Sequence, residues 1–576
     1  MDEKMNDMWG EQTGSLSQTS EKAAYFTNAK FAMFVHWGLY SHAGGKWQGK
    51  YFHGISEWLM AIKRISASDY ASLAKEFNPA DFNAADFVSV AKAAGMKYII
   101  VTAKHHEGFA MFRSQDPFNA CDGTPFKRDP LAELATECRK QGLGLGFYYS
   151  QFQDWQAYNR WDKTLENSDF DHYFRTKCLP QIRELLTNYG KLTLLWFDTP
   201  GKMTYEQSQE IVDMIRELQP QALVNSRIGN GVGDYVSMND NEVPAMKTPG
   251  LWECIRTSNG SWGYAEADTN FCSAREILQD LIRVVARGGT YMVNVGPDRQ
   301  GRIPDPCRYA LLEAGKWMQK YAGKVIYSAK ASCWDYVRPW GDCTRKGCSA
   351  FFILDDFVPG KTIVEYHFPG RVEKVLLLGK NREIPFTQQG EKLCITLPSE
   401  IGTDLFEVLE VLCSSEIPDS SNSVPVLNAD YPCRLGAEHA QVVNAEHKHH
   451  FWAERFGEFT YINIICNWQK NARASWQIAV DTPGYYRVKI SYQNVDLDNR
   501  VWQIISSSGE KIIRWLPDAQ SLPPTPSQTE PVARFHTANA GVLKFDQPGE
   551  YTLTLCSPEP EKSSNLQVSE LILEKF

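Results

Sequence analysis

The sequence has 576 residues, which is too long for one ordinary domain, since domains typically hold roughly 100–150 residues. Hydrophobic residues make up 43% of the chain and charged residues 22%, which excludes the disordered and fibrous classes. The 69 acidic and 60 basic residues give a net charge of −9 without a basic run, so we expect no nucleic-acid partner. No apolar stretch approaches the roughly 20 residues of a membrane helix, which predicts a protein without a membrane span.

The first 22 residues read as a polar N-terminal tail. This tail begins with acidic residues and lacks the basic and then apolar layout of a secretory signal. It therefore predicts a cytoplasmic protein, or a periplasmic or secreted one if a signal peptide has been removed. The 14 cysteines include no C-x-x-C pair, which indicates neither a disulfide framework nor a zinc ribbon.

Residues 23–327 alternate continuous apolar runs with segments of helical period. The strand candidates are residues 30–38, 97–105, 143–150, 192–198, 222–227 and 290–295. The helix candidates are residues 84–94, 130–141, 174–189, 206–218 and 274–287. This alternation predicts an α/β fold with a parallel sheet buried on both faces, organised as a (β/α)8-like barrel catalytic domain. No G-x-G-x-x-G follows the first strand, which disfavours dinucleotide binding.

Beyond residue 327 the pattern changes to short alternating strands, with candidates at 348–354, 362–368 and 372–378. Such strands are typical of an antiparallel β-sandwich, which we assign to residues 328–416. A Ser-, Pro-, Asn- and Asp-rich linker is predicted at 417–426, and a second β-sandwich at 427–576. Five tryptophans make this last domain either a carbohydrate-binding module or a purely structural sandwich: Trp452, Trp468, Trp476, Trp502 and Trp515.

Polar and aromatic side chains gather where predicted strands end, which is where barrel enzymes place their reacting groups. They include His36, Lys104, His105, His106, Tyr148, Trp196, Asp198, Arg227, Asp240, Glu242, Trp252, Glu253, Trp262 and Asn294. Paired carboxyl groups, an aromatic wall and hydroxyl-binding His and Arg side chains are the components of glycoside hydrolysis.

Each of these residues also has a structural interpretation. Asp198 could cap a turn, Arg227 could form a structural ion pair, and the tryptophans could belong to the core. A metal-dependent hydrolase is a further alternative, although His105 and His106 are adjacent and would point to opposite sides of an extended strand. We expect no cofactor and no metal site, and chelation tests this expectation.

Seven motifs follow one another in order along residues 23–330. They are FVHWGLYS at 34–41, TAKHHEGF at 102–109, GFYYS at 146–150, LWFD at 195–198, WE at 252–253, SWGY at 261–264 and NVGP at 294–297. In these motifs the chain resembles the α-L-fucosidases of glycoside hydrolase family 29. Glu107 stands where that family usually has aspartate.

The resemblance implies a retaining exo-α-L-fucosidase that releases terminal α-L-fucose through a covalent intermediate on Asp198. It implies a fucose-binding shell made of His36, Glu57, Trp58, His105, His106, Tyr148, Trp196, Arg227 and Trp262. The position of the acid/base varies within the family, and here Glu242 is favoured over Glu253, with Asp240 third.

The implied partner is a fucosylated oligosaccharide or glycoconjugate, with the linkage and oligomeric state left unspecified. A first alternative is a hydrolase of the same fold that acts on a related sugar such as an α-L-galactoside. The others are a metal-dependent barrel hydrolase and a carbohydrate-binding protein without activity, and the retained carboxyl groups disfavour the last of these.

Overall fold

A computed structural model describes residues 9–158, 169–355, 357–399, 402, 404–454, 458–494, 501–517 and 535–576. The chain forms two compact units. The first holds the described residues of Met1–Val243, Thr248–Ser328 and Glu454–Phe459, and the second holds those of Pro244–Lys247, Ala329–Ala453 and Thr460–Phe576. No helix within the described ranges has the length and apolar character needed to cross a membrane.

An eight-stranded parallel sheet forms the centre of the first unit. Its strands are β1 (Phe31–Val35), β2 (Tyr98–Lys104), β3 (Gly144–Ser150), β4 (Leu194–Asp198), β5 (Leu223–Val224), β6 (Val236–Ser237), β7 (Trp252–Thr257) and β8 (Thr290–Val295). They are hydrogen-bonded in the order β5-β4-β3-β2-β1-β8-β7-β6. An isolated parallel bridge between Asn225 and Tyr235 links the two ends of this order.

Five long helices lie between these strands along the chain, and a sixth follows β8. They are α1 (Ala84–Ala93), α2 (Pro130–Gln141), α3 (Leu179–Asn188), α4 (Tyr205–Leu218), α5 (Ala274–Ala286) and α6 (Asp305–Val325). Four of these helices begin at a polar N-cap residue, whose side chain accepts a hydrogen bond from a free backbone N–H of the first turn. The N-cap residues are Asn83, Asp129, Thr204 and Ser273. Thr204 and Ser273 each form a complete capping box.

Shorter helical segments complete the first unit. They are Glu21–Ala23, Ala24–Ala29, Leu39–Ala43, Ser56–Trp58, Leu59–Ile62, Ala67–Ala71, Ser72–Lys75, Phe170–Tyr173, Phe174–Cys178 and Ser226–Ile228. A hairpin of Lys46–Trp47 and Lys50–Tyr51 lies between β1 and α1.

The predicted helices at 84–94, 130–141, 206–218 and 274–287 are confirmed to within one residue. The segment predicted as one helix at 174–189 divides into the turn Phe174–Cys178 and α3. The strand predicted at 222–227 ends early, since Ser226–Ile228 is a helical turn. Strand β7 was not predicted, because Glu253 and Arg256 interrupt the apolar run that marks a buried strand.

Large side chains fill the space enclosed by this sheet. The buried cluster contains Phe26, Ala32, Phe34, Tyr98, Ile100, Tyr148, Leu194, Trp196, Tyr235, Ile255 and Met292. Phe26, on the short helix before β1, belongs to the same cluster. A filled interior leaves the carboxyl ends of the strands as the place for a site.

Two pairs of mainly antiparallel sheets follow in the chain, and the second unit contains them except for Glu454 and the first residues of the strand Glu458–Cys466. The first pair comprises Gly341–Lys346, Ser349–Leu354, Glu407–Cys413, Val372–Leu377 and Arg382–Glu383 in one sheet, and Thr362–Glu365, Lys392–Thr396 and Phe386–Gln389 in the other. One buried cluster, including Trp334, Phe352, Ile363 and Leu393, joins this pair.

The second pair follows Asn422. One sheet comprises Val426–Leu427, Gln441–Val443, Arg473–Val480, Gly549–Cys556, Val501–Ser506 and Lys511–Trp515. The other comprises Cys433–Gly436, Glu446–Glu454, Glu458–Cys466, Gln567–Lys575, Gly484–Gln493 and His536–Phe545. Val426–Leu427 pairs parallel with Ala479 and Val480, so the end of the predicted linker belongs to a sheet.

Candidate active site

Asp198 is the last residue of β4 and lies among hydrogen-bond donors. Its Oδ1 accepts from Nη1 of Arg227 at 3.1 Å, and its Oδ2 accepts from the Tyr148 hydroxyl at 2.9 Å. The backbone N–H of Asp198 donates to Oε1 of Gln151 at 3.0 Å. The residue keeps 9% of its surface exposed, so the carboxylate is oriented by its neighbours and still accessible.

Arg227 connects Asp198 to a second carboxylate. Its Nη2 donates to Oδ1 of Asp240 at 2.7 Å and to the backbone oxygen of Met238 at 2.8 Å. The guanidinium lies 4.4 Å from the Trp9 ring centroid and 5.0 Å from that of Trp196. Burial raises the pKa of Asp240, and so does the charge of Asp198, whereas Arg227 opposes the rise. Two carboxylates therefore share one buried cation.

The His36 ring is oriented by a hydrogen bond between its Nδ1 and Asn294. Its Nδ1 lies 2.7 Å from Oδ1 of Asn294, whose Nδ2 donates to the backbone oxygen of Trp262. Because that amide oxygen can only accept, the His36 hydrogen is on Nδ1 and Nε2 is an acceptor. Burial lowers the pKa of His36 to about 3, so the ring is neutral.

His106 has the same arrangement. Its Nδ1 lies 2.7 Å from the hydroxyl oxygen of Ser150, and that hydroxyl donates to the backbone oxygen of Gln153. His106 therefore donates through Nδ1, and its Nε2 accepts, 3.6 Å from Oδ2 of Asp198. Burial lowers the pKa of His106 to about 3. A hydroxyl group placed here could donate to this nitrogen.

His105 stacks on Tyr148, with ring centroids 5.3 Å apart and planes 10° from parallel. Burial holds the pKa of His105 well below its usual value, so this imidazole is neutral too. Its Nδ1 lies 3.7 Å from Oε2 of Glu107, and burial raises the pKa of Glu107 to about 8. Within the described ranges, no three His, Cys, Asp or Glu side chains are arranged to hold a metal ion.

Glu57 and Trp58 reach the same region from a short helical turn. The backbone N–H of Gly263 donates to Oε2 of Glu57 at 2.9 Å, and burial raises the pKa of Glu57 to about 8. Trp58 lies edge-on to His106 at 5.4 Å and to Trp155 at 5.2 Å. Trp262 lies 5.2 Å from the His36 ring. The predicted shell residues thus form one connected cluster, which reaches Asp198 through His106, Tyr148 and Arg227.

Glu253 does not occupy the position expected from the sequence. It is the second residue of β7, whereas we expected Trp252 and Glu253 to follow a strand. Its Oε1 accepts from Nε1 of Trp196 and from the Ser237 hydroxyl, and the residue has no exposed surface. Residues 252 and 253 were expected at the end of a strand, but they begin β7. The Glu253 carboxyl group therefore lies enclosed among buried side chains, away from the carboxyl end of its strand.

Glu242 lies on the loop after β6 and is half-buried. Its Oε2 accepts from the backbone N–H of Asn239 at 3.2 Å, and its own N–H donates to the oxygen of Asn239 at 3.1 Å. The carboxylate is thus turned toward its own loop, whereas Asp240 on the same loop is paired with Arg227.

Three residues that the sequence analysis missed hold the site in place. Gln151 accepts from the Asp198 N–H and donates to the Arg227 oxygen at 2.8 Å. Asn225 exchanges two hydrogen bonds with the backbone of Phe197, at 2.8 and 2.9 Å. Trp9, from the predicted tail, is buried against Arg227. The first two follow strand ends and could have been suspected, but nothing local marks Trp9.

The tryptophans of the C-terminal domain are mostly core residues. Trp468, Trp476 and Trp502 are buried, whereas Trp515 is 57% exposed, and the side chain of Trp452 lies outside the described part. The carbohydrate-binding module therefore stays a prediction, supported here by Trp515.

The buried Glu253 should make the stability of the protein depend on pH. Burial raises its pKa to about 8 from an ordinary value of 4.5, so folding retains a proton that the unfolded chain releases. The contribution of Glu253 to the free energy of unfolding is therefore fully present below pH 4.5 and is lost as the pH rises toward 8. We expect Glu253→Gln, which has no titrating proton, to raise Tm relative to wild type at pH 8 but not at pH 5. The exposed Glu313→Gln serves as control, and an equal Tm difference at both pH values would contradict the prediction.

Comparisons with known proteins agree with these motifs. A family model described as alpha-L-fucosidase matches residues 2–323. The tissue alpha-L-fucosidase of Rattus norvegicus is 29% identical over 406 residues, which cover 65% of this chain and 85% of the relative. The crystal structure of alpha-L-fucosidase from Vibrio sp. strain EJY3 has a TM-score of 0.78 and 29% identity, covering 98% of this chain and 99% of that one.

A second similar structure is described as a trapped covalent intermediate. It is a GH29 alpha-L-fucosidase from Bacteroides thetaiotaomicron in complex with 2-fluoro-fucosyl fluoride. Its TM-score is 0.64 at 27% identity, and the match covers 70% of this chain and 98% of that one.

Proposed function

Because this chain belongs to the α-L-fucosidase family, glycoside hydrolase family 29, we propose that it releases terminal α-L-fucose from fucosylated oligosaccharides or glycoconjugates. The observation that carries this proposal is the pair Asp198 and Asp240, bridged by buried Arg227 among neutral imidazoles and indoles. Glycoside hydrolysis needs two such carboxyl groups with different protonation. The covalent intermediate trapped in the Bacteroides relative supports a retaining course.

In the first step we assign Asp198 as the nucleophile. Its carboxylate attacks the anomeric carbon while the bond to the leaving oxygen breaks and the acid/base carboxyl group protonates that oxygen, which forms a fucosyl ester and a free alcohol. Tyr148 and Arg227 each hold one carboxylate oxygen, so the side chain keeps a fixed direction during attack. The acid/base group, now a carboxylate, then takes a proton from water as the water oxygen attacks the anomeric carbon and the bond to Asp198 breaks. The configuration at the anomeric carbon is retained overall.

For the acid/base we favour Asp240 over Glu242 and Glu253. A general acid needs a pKa above that of a free carboxylic acid, and burial raises the pKa of Asp240 with the help of the Asp198 charge, although Arg227 opposes the rise. The side chain of Asp240 is 21% exposed, against 12% for Asp198, which suits a group on the leaving-group side. Glu253 has no exposed surface, and the carboxylate of Glu242 is engaged by the backbone of Asn239.

The surrounding residues suit a hydroxylated sugar with one methyl group. Nε2 of His36 and Nε2 of His106 are acceptors, so they can receive hydrogens from sugar hydroxyls. The indoles of Trp58 and Trp262 offer flat apolar surfaces against which a C6 methyl can pack. The combination favours fucose over a fully hydroxylated hexose.

We further propose the predicted domain arrangement. The strand order and the Asn225–Tyr235 bridge support a (β/α)8-like barrel over residues 23–327. The two sheet pairs of the second unit support β-sandwiches at 328–416 and 427–576 joined by residues 417–426.

Turnover of 4-nitrophenyl α-L-fucoside, with and without a chelator, tests the proposed activity. We expect turnover that the chelator does not reduce, and kcat/KM for the α-L-galactoside analogue lower by about 10- to 200-fold, the usual effect of one altered group in an apolar pocket. Loss of activity on chelation would instead favour a metal-dependent hydrolase. No turnover of either glycoside, nor of a panel of fucosylated oligosaccharides, by folded protein would contradict the proposal.

A further inference from the structure

Residues 9–18, which we call the N-terminal segment, pack against the sheet region of the first unit. The backbone N–H groups of Ser15 and Leu16 donate to the oxygens of Gly233 and Asp234, both at 3.0 Å. The side chain of Gln18 donates to the oxygens of Gly250, at 2.6 Å, and Gly288, at 3.2 Å. Part of the tail predicted from the sequence is therefore tied to the residues that precede β6, β7 and β8.

Two glycines let the segment approach this closely. A Cβ on Gly14 would lie 2.7 Å from Cα of Tyr235, so no side chain fits there without a shift of the backbone. Gly10 adopts a left-handed conformation with φ of +72°, and a Cβ there would meet Cγ of Pro200 at 3.1 Å. The path of the segment thus depends on specific positions along it.

At its start the segment reaches the active site. Nε2 of Gln12 donates to Oδ1 of Asn239 at 2.7 Å, and Asn239 directly precedes Asp240. Trp9 is 2% exposed, and its ring lies 4.4 Å from the guanidinium carbon of Arg227. With Trp196 at 5.0 Å, two indoles contact the same guanidinium.

We propose that Trp9 is a positioning residue of the active site, which holds Arg227 and through it the spacing of Asp198 and Asp240. The inference rests on the roles proposed above for those two carboxyl groups. A guanidinium stacks favourably on an aromatic face, most strongly where water is excluded. Arg227 is fully buried, so removal of one indole would admit water beside the cation and loosen both of its ion pairs.

Three substitutions separate the aromatic contact from simple packing. Trp9→Ala removes the ring, Trp9→Leu keeps apolar volume without an aromatic face, and Trp9→Phe keeps a smaller ring. We expect kcat/KM on 4-nitrophenyl α-L-fucoside to fall about 10- to 50-fold for Ala and for Leu, mainly in kcat, and only a few-fold for Phe. Gln18→Ala is the matched control in the same segment, since it removes contacts far from Arg227, and should stay within about threefold of wild type.

A double-mutant cycle with Arg227→Lys tests the coupling directly, read both in kcat/KM and in Tm. If Trp9 acts through Arg227, Trp9→Leu costs less in the Arg227→Lys background than in wild type, because the stacked guanidinium is already absent. Additive effects in both readouts, or equal activity of the Leu and Phe variants, would overturn the inference.

The two proposals fail in different ways. Wild-type protein without fucosidase activity would contradict the proposed function, while the Tm cycle would still decide whether Trp9 holds Arg227. An active wild type with unimpaired Trp9→Ala activity would overturn only the role of Trp9.

Discussion

Asp198→Gly is expected to lose turnover of 4-nitrophenyl α-L-fucoside by on the order of 10⁴-fold or more, the scale seen when a nucleophile is removed. The reason is that no other carboxylate accepts from both Tyr148 and Arg227, so no neighbour in the described site can replace it. Added azide should restore part of the rate, because a small anion fits the space left by the carboxylate and attacks the anomeric carbon itself.

The product identifies the mechanism in this experiment. An azide-rescued reaction with one displacement gives the β-fucosyl azide, whereas wild-type hydrolysis gives α-fucose first, and proton NMR distinguishes the two. Asp198→Asn, which keeps the shape of the side chain, is the control for folding and should be equally inactive without azide. A folded Asp198→Gly protein that azide does not rescue would count against a nucleophilic role.

The second large effect concerns Asp240. We expect Asp240→Asn to lower kcat/KM by about 10²- to 10⁴-fold on a fucosyl disaccharide, whose leaving alcohol needs a proton. On 2,4-dinitrophenyl α-L-fucoside the loss should be far smaller, because that phenolate departs without protonation. Asparagine keeps the Oδ1 acceptor for Arg227. The variant therefore removes the proton donor with little change in the ion pair between Arg227 and Asp198.

Glu242→Gln and Glu253→Gln are the matched controls for this assignment. Glu242 is turned toward Asn239 and Glu253 is enclosed beside Trp196, so neither variant should show a loss that depends on the leaving group. If Glu242→Gln shows that dependence and Asp240→Asn does not, Glu242 is the acid/base and the geometric argument for Asp240 is wrong.

Much of the local structure of the first unit follows from sequence pattern. The helices α1, α2, α4 and α5 were predicted to within one residue, because their apolar residues recur with helical period. Strands β2, β3 and β4 are continuous apolar runs and were predicted almost in full. Strand β5 was predicted too long, at 222–227, and the two-residue strand β6 carries too little sequence to form such a pattern.

The sequence determined the composition of the site, since His36, His105, His106, Tyr148, Trp196, Asp198 and Arg227 all lie at or beside strand ends that are visible as local patterns. Tertiary structure alone decided the surroundings of three other groups. Glu253 is enclosed because a short strand begins just before it, Asp240 lies beside Asp198 because both pair with Arg227, and Trp9 contacts Arg227 through folding of the N-terminal segment. Contacts such as that of Gln12 with Asn239, 227 positions away, form only when the chain closes on itself, so no local pattern of residues encodes them.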